Sequence, residues 1–280
     1  MKLSLLGLEL NTGSYNSFVT RICQQADSED SHYNCIANVH MLVEARRNPY
    51  FSDLVNCADL VTPDGMPLIV AMKMLYGVEQ DRVAGMTLLP DLLQAAELRH
   101  IPVFIYGGDH SLIEKTKRHI QKTYPLLTLA GAFSPPFRSL TEIETKEVVQ
   151  MINQSGARLV FVALGCPKQE IWMAAMKNKI HASMVGVGAA LSVMVGIQKR
   201  APLWMQRNSL EWLFRLFQEP RRLFRRYTVT NNIFIWVFLK TWAKQKFKPD
   251  KPEFFNPPHK IWEPKLDNEK DWVRDKELEA

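Results

Sequence analysis

An α/β fold, with a mainly parallel sheet flanked by helices and a basic helical appendage at its C-terminal end, is what the sequence predicts. Three observations carry that expectation. From Leu3 to about residue 195, short apolar runs end in Gly, Pro or Asp, and each is followed by a segment of helical periodicity, the punctuation of strand–helix units. Runs such as Phe161–Leu164 are short, continuous and bounded by Gly and Pro, as in strands covered on both faces. After Lys199-Arg200-Ala201-Pro202 the pattern changes to bulky apolar residues alternating with arginines.

In chain order, Val61-Thr62 reads as a strand end, and Pro63-Asp64-Gly65 forces a turn before a helix from about Met66. Asp64 then stands where sheet meets helix. A carboxylate there can accept a proton from a hydroxyl nucleophile within hydrogen-bond reach, although Asp in such a turn also needs no function. Val103–Tyr106 ends at Gly107-Gly108-Asp109, and Ser111–Thr123 places Leu112, Ile113, Thr116 and Ile120 along one helical face. Leu127–Gly131 and Met184–Gly188 read as further strands, the latter opening into Ala189–Gly196. Several such units imply right-handed crossovers in a mainly parallel sheet. Gly107, Gly108, Gly186 and Gly188 allow close backbone approach, and amides at a following helix N-terminus can hold phosphate oxygens, but plain turn chemistry explains them as well. Neither a full GxGxxG nor a Walker loop is present, which counts against a nicotinamide-dependent oxidoreductase.

The strand Phe161–Leu164 stops at Gly165 and releases Cys166-Pro167-Lys168-Gln169-Glu170. Ligands of open parallel sheets bind beyond the carboxyl ends of strands, which puts Lys168, Gln169 and Glu170 at a cleft mouth. The alternative is an ordinary strand-to-helix turn with Pro167 as first helical residue and Glu170 favouring the helix N-terminus.

Composition sets outer bounds. The chain has 280 residues, 46% hydrophobic and 23% charged, enough for one large core or a core plus an appendage. Cys23, Cys35, Cys57 and Cys166 show neither CxxC spacing nor a neighbouring His pair, so a metal site or disulfide framework is not expected and a reducing cytosol is the default compartment. Glu9 interrupts the first apolar stretch, which is too weak for a signal peptide. The net charge of +6 is concentrated between Lys199 and Lys251, where the acids are Glu211, Glu219 and Asp250. An anionic partner is expected at this end: diphosphate, anionic lipid or nucleic acid.

Leu210–Phe217 runs on through Glu219-Pro220-Arg221-Arg222 to Tyr227 in a helical rhythm. Arg221 with Arg225, and Arg222 with Arg226, share helix faces at i,i+4, and guanidinium forks suit phosphate. Ile233–Leu239 is an apolar patch too short to span a bilayer, which takes about twenty apolar residues. With Trp236, Trp242 and the following lysines it reads as an interfacial segment or as an ordinary buried helix. From Pro249 the prolines and charges predict an extended tail. The expected division is a catalytic core over 1–198, the basic helical appendage over 199–248 and the tail over 249–280.

These segments resemble the WecG/TagA/CpsF family of bacterial glycosyltransferases from Leu5-Leu6-Gly7 to Tyr227. The resemblance is carried by Asn38, Thr62-Pro63-Asp64-Gly65, Arg82-Val83-Ala84-Gly85, Tyr106-Gly107-Gly108, Gly165–Glu170, Gly186-Val187-Gly188, Arg200-Ala201-Pro202, Glu211–Arg215 and Glu219–Arg222. It implies a Rossmann-like core that transfers a sugar, commonly an N-acetylated hexosamine, from a UDP-sugar donor to a polyprenyl-diphosphate-linked saccharide at the cytoplasmic membrane face. Inversion at the anomeric carbon without a metal or other cofactor is implied too. Asp64 is then the base. Asn38, Thr62, Arg82, Gly107, Gly108, Gln169, Gly186 and Gly188 bind substrate, and Arg200, Arg215, Arg222 and Arg225 engage diphosphate as the appendage closes against an anionic membrane surface. Self-association through exposed apolar faces fits the resemblance as well. Many members carry a threonine shortly before Asn38, where this chain has Ile36-Ala37. The competing class is a non-catalytic module whose arginines and aromatics hold nucleic acid, which leaves the cleft motifs unused; no nucleic-acid partner is expected.

Overall fold

The computed structural model describes residues 1–28, 30–207, 210–247 and 254–255. The chain opens with β1 (Lys2–Leu5) and β2 (Leu8–Asn11), an antiparallel hairpin closed by Leu6 and Gly7, both at positive φ. This departs from the uniform α/β punctuation expected from Leu3 onward. Leu3 and Leu5 in β1, and Leu8 and Leu10 in β2, are buried two positions apart within each strand, a period-two pattern that belongs to a hairpin with one covered face. A two-residue connection is also too short for a parallel crossover.

After α1 (Tyr15–Asp27) the βα units begin. In order they are β3 (His32–Ala37), α2 (Val39–Arg47) and α3 (Pro49–Asn56), β4 (Leu60–Pro63), α4 (Met66–Tyr76) and α5 (Gly85–Leu98), β5 (Val103–Gly107) and α6 (His110–Thr123). There follow β6 (Leu129–Phe133), α7 (Glu142–Gln154), β7 (Leu159–Ala163), α8 (Lys168–Met176), β8 (Ser183–Gly186) and α9 (Ala190–Met194). Strands β3 to β8 form one parallel sheet in the order β4-β3-β8-β7-β5-β6. The strand expected over Leu127–Gly131 starts at Leu129, because Leu127 still closes a turn onto Tyr124. Pro167 caps α8 after a cis Cys166–Pro167 bond, and Lys168 is the first helical residue.

Two buried apolar layers cover the sheet. Tyr106, Val160 and Val162 look to the layer holding Met41, Leu54 and Met173, whereas Ile105, Phe161 and Val185 look to the one holding Phe18, Leu92 and Ile113. Neighbouring strands β3 and β8 therefore send their following helices to opposite faces, α2 to the first layer and α9 to the second. Such a switch opens a crevice beyond the strands' carboxyl ends.

The C-terminal part comprises α10 (Leu203–Arg207), α11 (Glu211–Gln218) and α12 (Pro220–Phe247). The continuous rhythm expected from Leu210 breaks at Glu219, where Pro220 starts a new helix, since proline favours the first turn. Along α12, Leu223, Thr230, Phe234 and Val237 are buried, and Phe234 joins the layer with α2 and α4. The patch Ile233–Leu239 is thus divided: Phe234 and Val237 pack inward, while Ile235, Trp236 and Leu239 are exposed. The tail lies outside the described residues except β9 (Phe254–Phe255), which pairs with the free edge of β1.

Candidate active site at the carboxyl ends of the strands

A cleft of about 1750 Å³ opens over the carboxyl ends of the parallel strands and is roofed by α11 and α12. The turns following the strands supply its floor. Asn38 follows β3, Asp64 β4, Gly108 β5 and Gln169 β7, while Gly186 ends β8 and Gly188 lies just beyond it.

The turn after β4 is fixed by its backbone. Asp64 N donates to Ala37 O at 2.8 Å, Val83 N donates to Pro63 O at 2.8 Å, and Asn38 caps α2 by accepting from Met41 N at 3.2 Å. These bonds seat Asp64 beside Arg82. The guanidinium Nε donates to the Asp64 carbonyl at 2.7 Å, one terminal nitrogen reaches Asp64 Oδ1 at 3.3 Å, and the same nitrogen makes a short contact with Glu211 on α11. A quarter of the Asp64 side chain faces the cleft. Desolvation by the cleft walls pushes its carboxyl above the ordinary Asp range, Arg82 and Arg215 pull it back, and Glu211 adds to the rise. Burial works against the Arg82 charge, but Asp64 and Glu211 outweigh it and raise the guanidinium's pKa.

On the opposite wall, Gln169 is locked. Its Oε1 accepts from Gly165 N at 3.2 Å and its Nε2 donates to Glu170 Oε1 at 2.7 Å. Glycine at 186 is what admits this amide, since a Cβ there would lie 2.9 Å from Gln169 Nε2. Glu170, expected at the cleft mouth, is fully buried behind Gln169 and does not line the cleft. Its carboxyl is pushed up to about 7 by burial, against hydrogen bonds from Gln169 and Cys166 and the charge of Arg226. Only Lys168 and Gln169 of that expected trio reach the cleft.

The other expected residues divide. Asn38, Asp64, Arg82, Gly108, Gln169, Gly186, Gly188 and Arg215 line the cleft together. Thr62 is buried in β4 with its hydroxyl turned to Cys35 O at 3.5 Å, and Gly107 packs against the Ala163 backbone, so neither borders the cleft. Arg200 reaches Thr87 Oγ1 at 2.7 Å and approaches Glu211 at 4.0 Å, outside the lining. Arg225 is exposed and away from the cleft; Arg226 lines it instead. The reason is helical phase: Arg226 falls on the stripe of Leu223, Thr230 and Phe234, and Arg225 lies one residue off it. The side chain of Arg222 lies outside the described residues.

Sequence reading missed Glu211 and Arg226 as cleft residues. Glu211 sits in a run that carried the resemblance, whereas Arg226 lies just beyond one, and the buried stripe of α12 was the signal that would have selected Arg226 over Arg225. Among the described residues no group of three or more His, Cys, Asp or Glu is arranged to hold a metal ion.

The model of the glycosyl transferase WecG/TagA/CpsF family matches residues 3–248. A Bacillus spizizenii (strain ATCC 23059 / NRRL B-14472 / W23) protein described as N-acetylglucosaminyldiphosphoundecaprenol N-acetyl-beta-D-mannosaminyltransferase is 30% identical over 228 residues, covering 81% of this chain and 87% of its own. A Staphylococcus aureus (strain MW2) protein of the same description is 26% identical over 253 residues, covering 89% of this chain and 96% of its own.

Proposed function

The chain belongs to the WecG/TagA/CpsF family of glycosyl transferases, and on that premise we propose that it moves N-acetylmannosamine from a UDP-sugar donor to a GlcNAc-diphosphate-polyprenol acceptor with inversion, using Asp64 as base. The observation that carries this reading is the meeting of Asp64, Arg82 and Gln169 in one cleft beneath the basic helices. The transferred sugar and the acceptor are those in the relatives' descriptions.

The acceptor hydroxyl attacks the donor's anomeric carbon while its proton passes to the Asp64 carboxylate. The bond from that carbon to the diphosphate oxygen breaks on the opposite face, and its electron pair leaves with UDP. Charge growing on the diphosphate needs preorganised positive groups. Arg215 and Arg226 line the cleft from the roof, and Lys168 lines it from the first turn of α8. This arrangement lets the reaction proceed without a metal.

The roof's outer surface supports peripheral docking, here assigned to the inner face of the plasma membrane where the lipid-linked acceptor is presented. Phe217, Phe224, Trp236 and Leu239 are exposed there amid arginines and lysines, the composition that places an apolar face among acyl chains and cations at anionic headgroups. Among the described residues no helix is long and apolar enough to cross a membrane. In this reading residues 1–198 are the catalytic core and 199–248 the docking element that closes it.

The test is UDP release from a panel of UDP-sugars in EDTA, with and without a polyprenyl-diphosphate-GlcNAc analogue. Acceptor-dependent release from UDP-N-acetylmannosamine is expected. Release from another donor alone would correct the sugar, and loss of release in EDTA that is restored by a divalent cation would refute the metal-free step.

A further inference from the structure

Arg82 is shared between two carboxylates, and the second belongs to the roof. Its Nε is spent on the Asp64 main chain, and a single terminal nitrogen serves both Asp64 Oδ1 and Glu211 Oε2. The paired fork that makes Arg–carboxylate contacts strongest is therefore absent here, and only Oδ1 of Asp64 is engaged among the described hydrogen bonds. Glu211 is itself buried at the start of α11, with Arg200 approaching it at 4.0 Å. A glutamate in a first helical turn also complements the helix dipole, but that needs neither burial nor an arginine from the opposite wall.

We infer that Glu211 is a positioning residue for the proton-accepting step: by drawing Arg82 partly away from Asp64 it keeps the carboxylate free and basic, so that seating α11 over the cleft completes the base. This rests on the reading of Asp64 as base. The charged groups acting on Asp64 are Arg82 from the loop before α5, and Arg215 and Glu211 from α11. From the neighbouring turns Lys168 lines the same cleft, and His40 on α2 lies 3.8 Å from Glu44 of its own helix. Removing the Glu211 charge leaves Asp64 facing Arg82 and Arg215 without a counterweight, which lowers its basicity.

Glu211→Gln is the direct test because the amide keeps an acceptor for Arg82 and removes only the charge. In the full chain, the acid limb of kcat/KM against pH is expected to move to lower pH and plateau kcat to fall several-fold. KM for the donor should stay within about twofold, because the loss falls on the transition state, and the thermal melt should be unchanged. Glu211→Asp, which keeps the charge but shortens the reach, should hold its limb near the wild-type position. A purely structural role gives the opposite order, with Gln close to wild type and Asp impaired. A wild-type limb and kcat in Glu211→Gln would overturn the inference while leaving Asp64 as base. If Glu211→Gln does not fold, a Glu211→Asp limb displaced to low pH overturns it. Wild-type turnover in Asp64→Asn would remove both.

Discussion

Individual residues in this cleft are held by contacts that substitutions can address singly. A Cβ at position 186 would meet Gln169 Nε2 and Met173 Cε, each at 2.9 Å, so Gly186→Ala displaces an amide whose placement depends on both Gly165 and Glu170. A fall in kcat/KM of about tenfold is expected, the equivalent of about 1.4 kcal/mol of transition-state stabilisation, and initial-rate kinetics check it. Gly107 sits at φ +112° with the Ala163 backbone 2.7 Å from any Cβ, and Gly107→Ala should destabilise the fold by about 2–4 kcal/mol in urea unfolding. Glu170 gives stability a pH dependence. Its folded pKa of about 7 lies above the ordinary glutamate value, so the folded state binds the extra proton. That contribution is complete below the unfolded value and declines by about 1.4 kcal/mol per unit as pH rises toward 7. Glu170→Gln should flatten the fall in melting temperature between pH 5 and pH 8; a slope identical to wild type would contradict it.

At the scale of elements, α11 and α12 connect chemistry to docking. Deleting residues 201–280 removes Glu211, Arg215 and Arg226 from the roof. It should abolish transfer while β1–β8 still melt cooperatively, which activity and circular dichroism on one preparation would establish. Full activity in the truncated chain would show the roof to be dispensable. The βα units were legible because glycine and proline mark the ends of strands buried on both faces, as at Gly107-Gly108 and Gly165. The N-terminal hairpin was not read as one, since β1 and β2 are four residues each, too short for alternation to stand out from a parallel-strand run. Asp64 and Gln169 were legible because a strand end and the turn after it present each of them, and Arg82 was legible only through the resemblance. Glu211 and Arg226 were not, because their roles depend on how the roof helices dock on the sheet. Arg225 and Arg226 cannot be told apart by charge, only by the phase of a face whose burial is a tertiary property.

For the whole molecule, a doubly covered parallel sheet, an open cleft at its carboxyl edge and a basic, aromatic roof act together. Vesicles containing anionic lipid should sediment the protein at low salt and release it as salt rises, since the attraction falls off within a Debye length. Trp236→Ala should weaken retention on the vesicles without altering turnover on a short-chain soluble acceptor, a comparison that separates docking from chemistry. The most direct test of the central claim is acceptor-dependent turnover of Asp64→Asn beside its UDP affinity by calorimetry. A fall in kcat of about a hundredfold to ten-thousandfold is expected, the range for losing a general base, with UDP binding within about twofold of wild type. Wild-type turnover in that variant would contradict it.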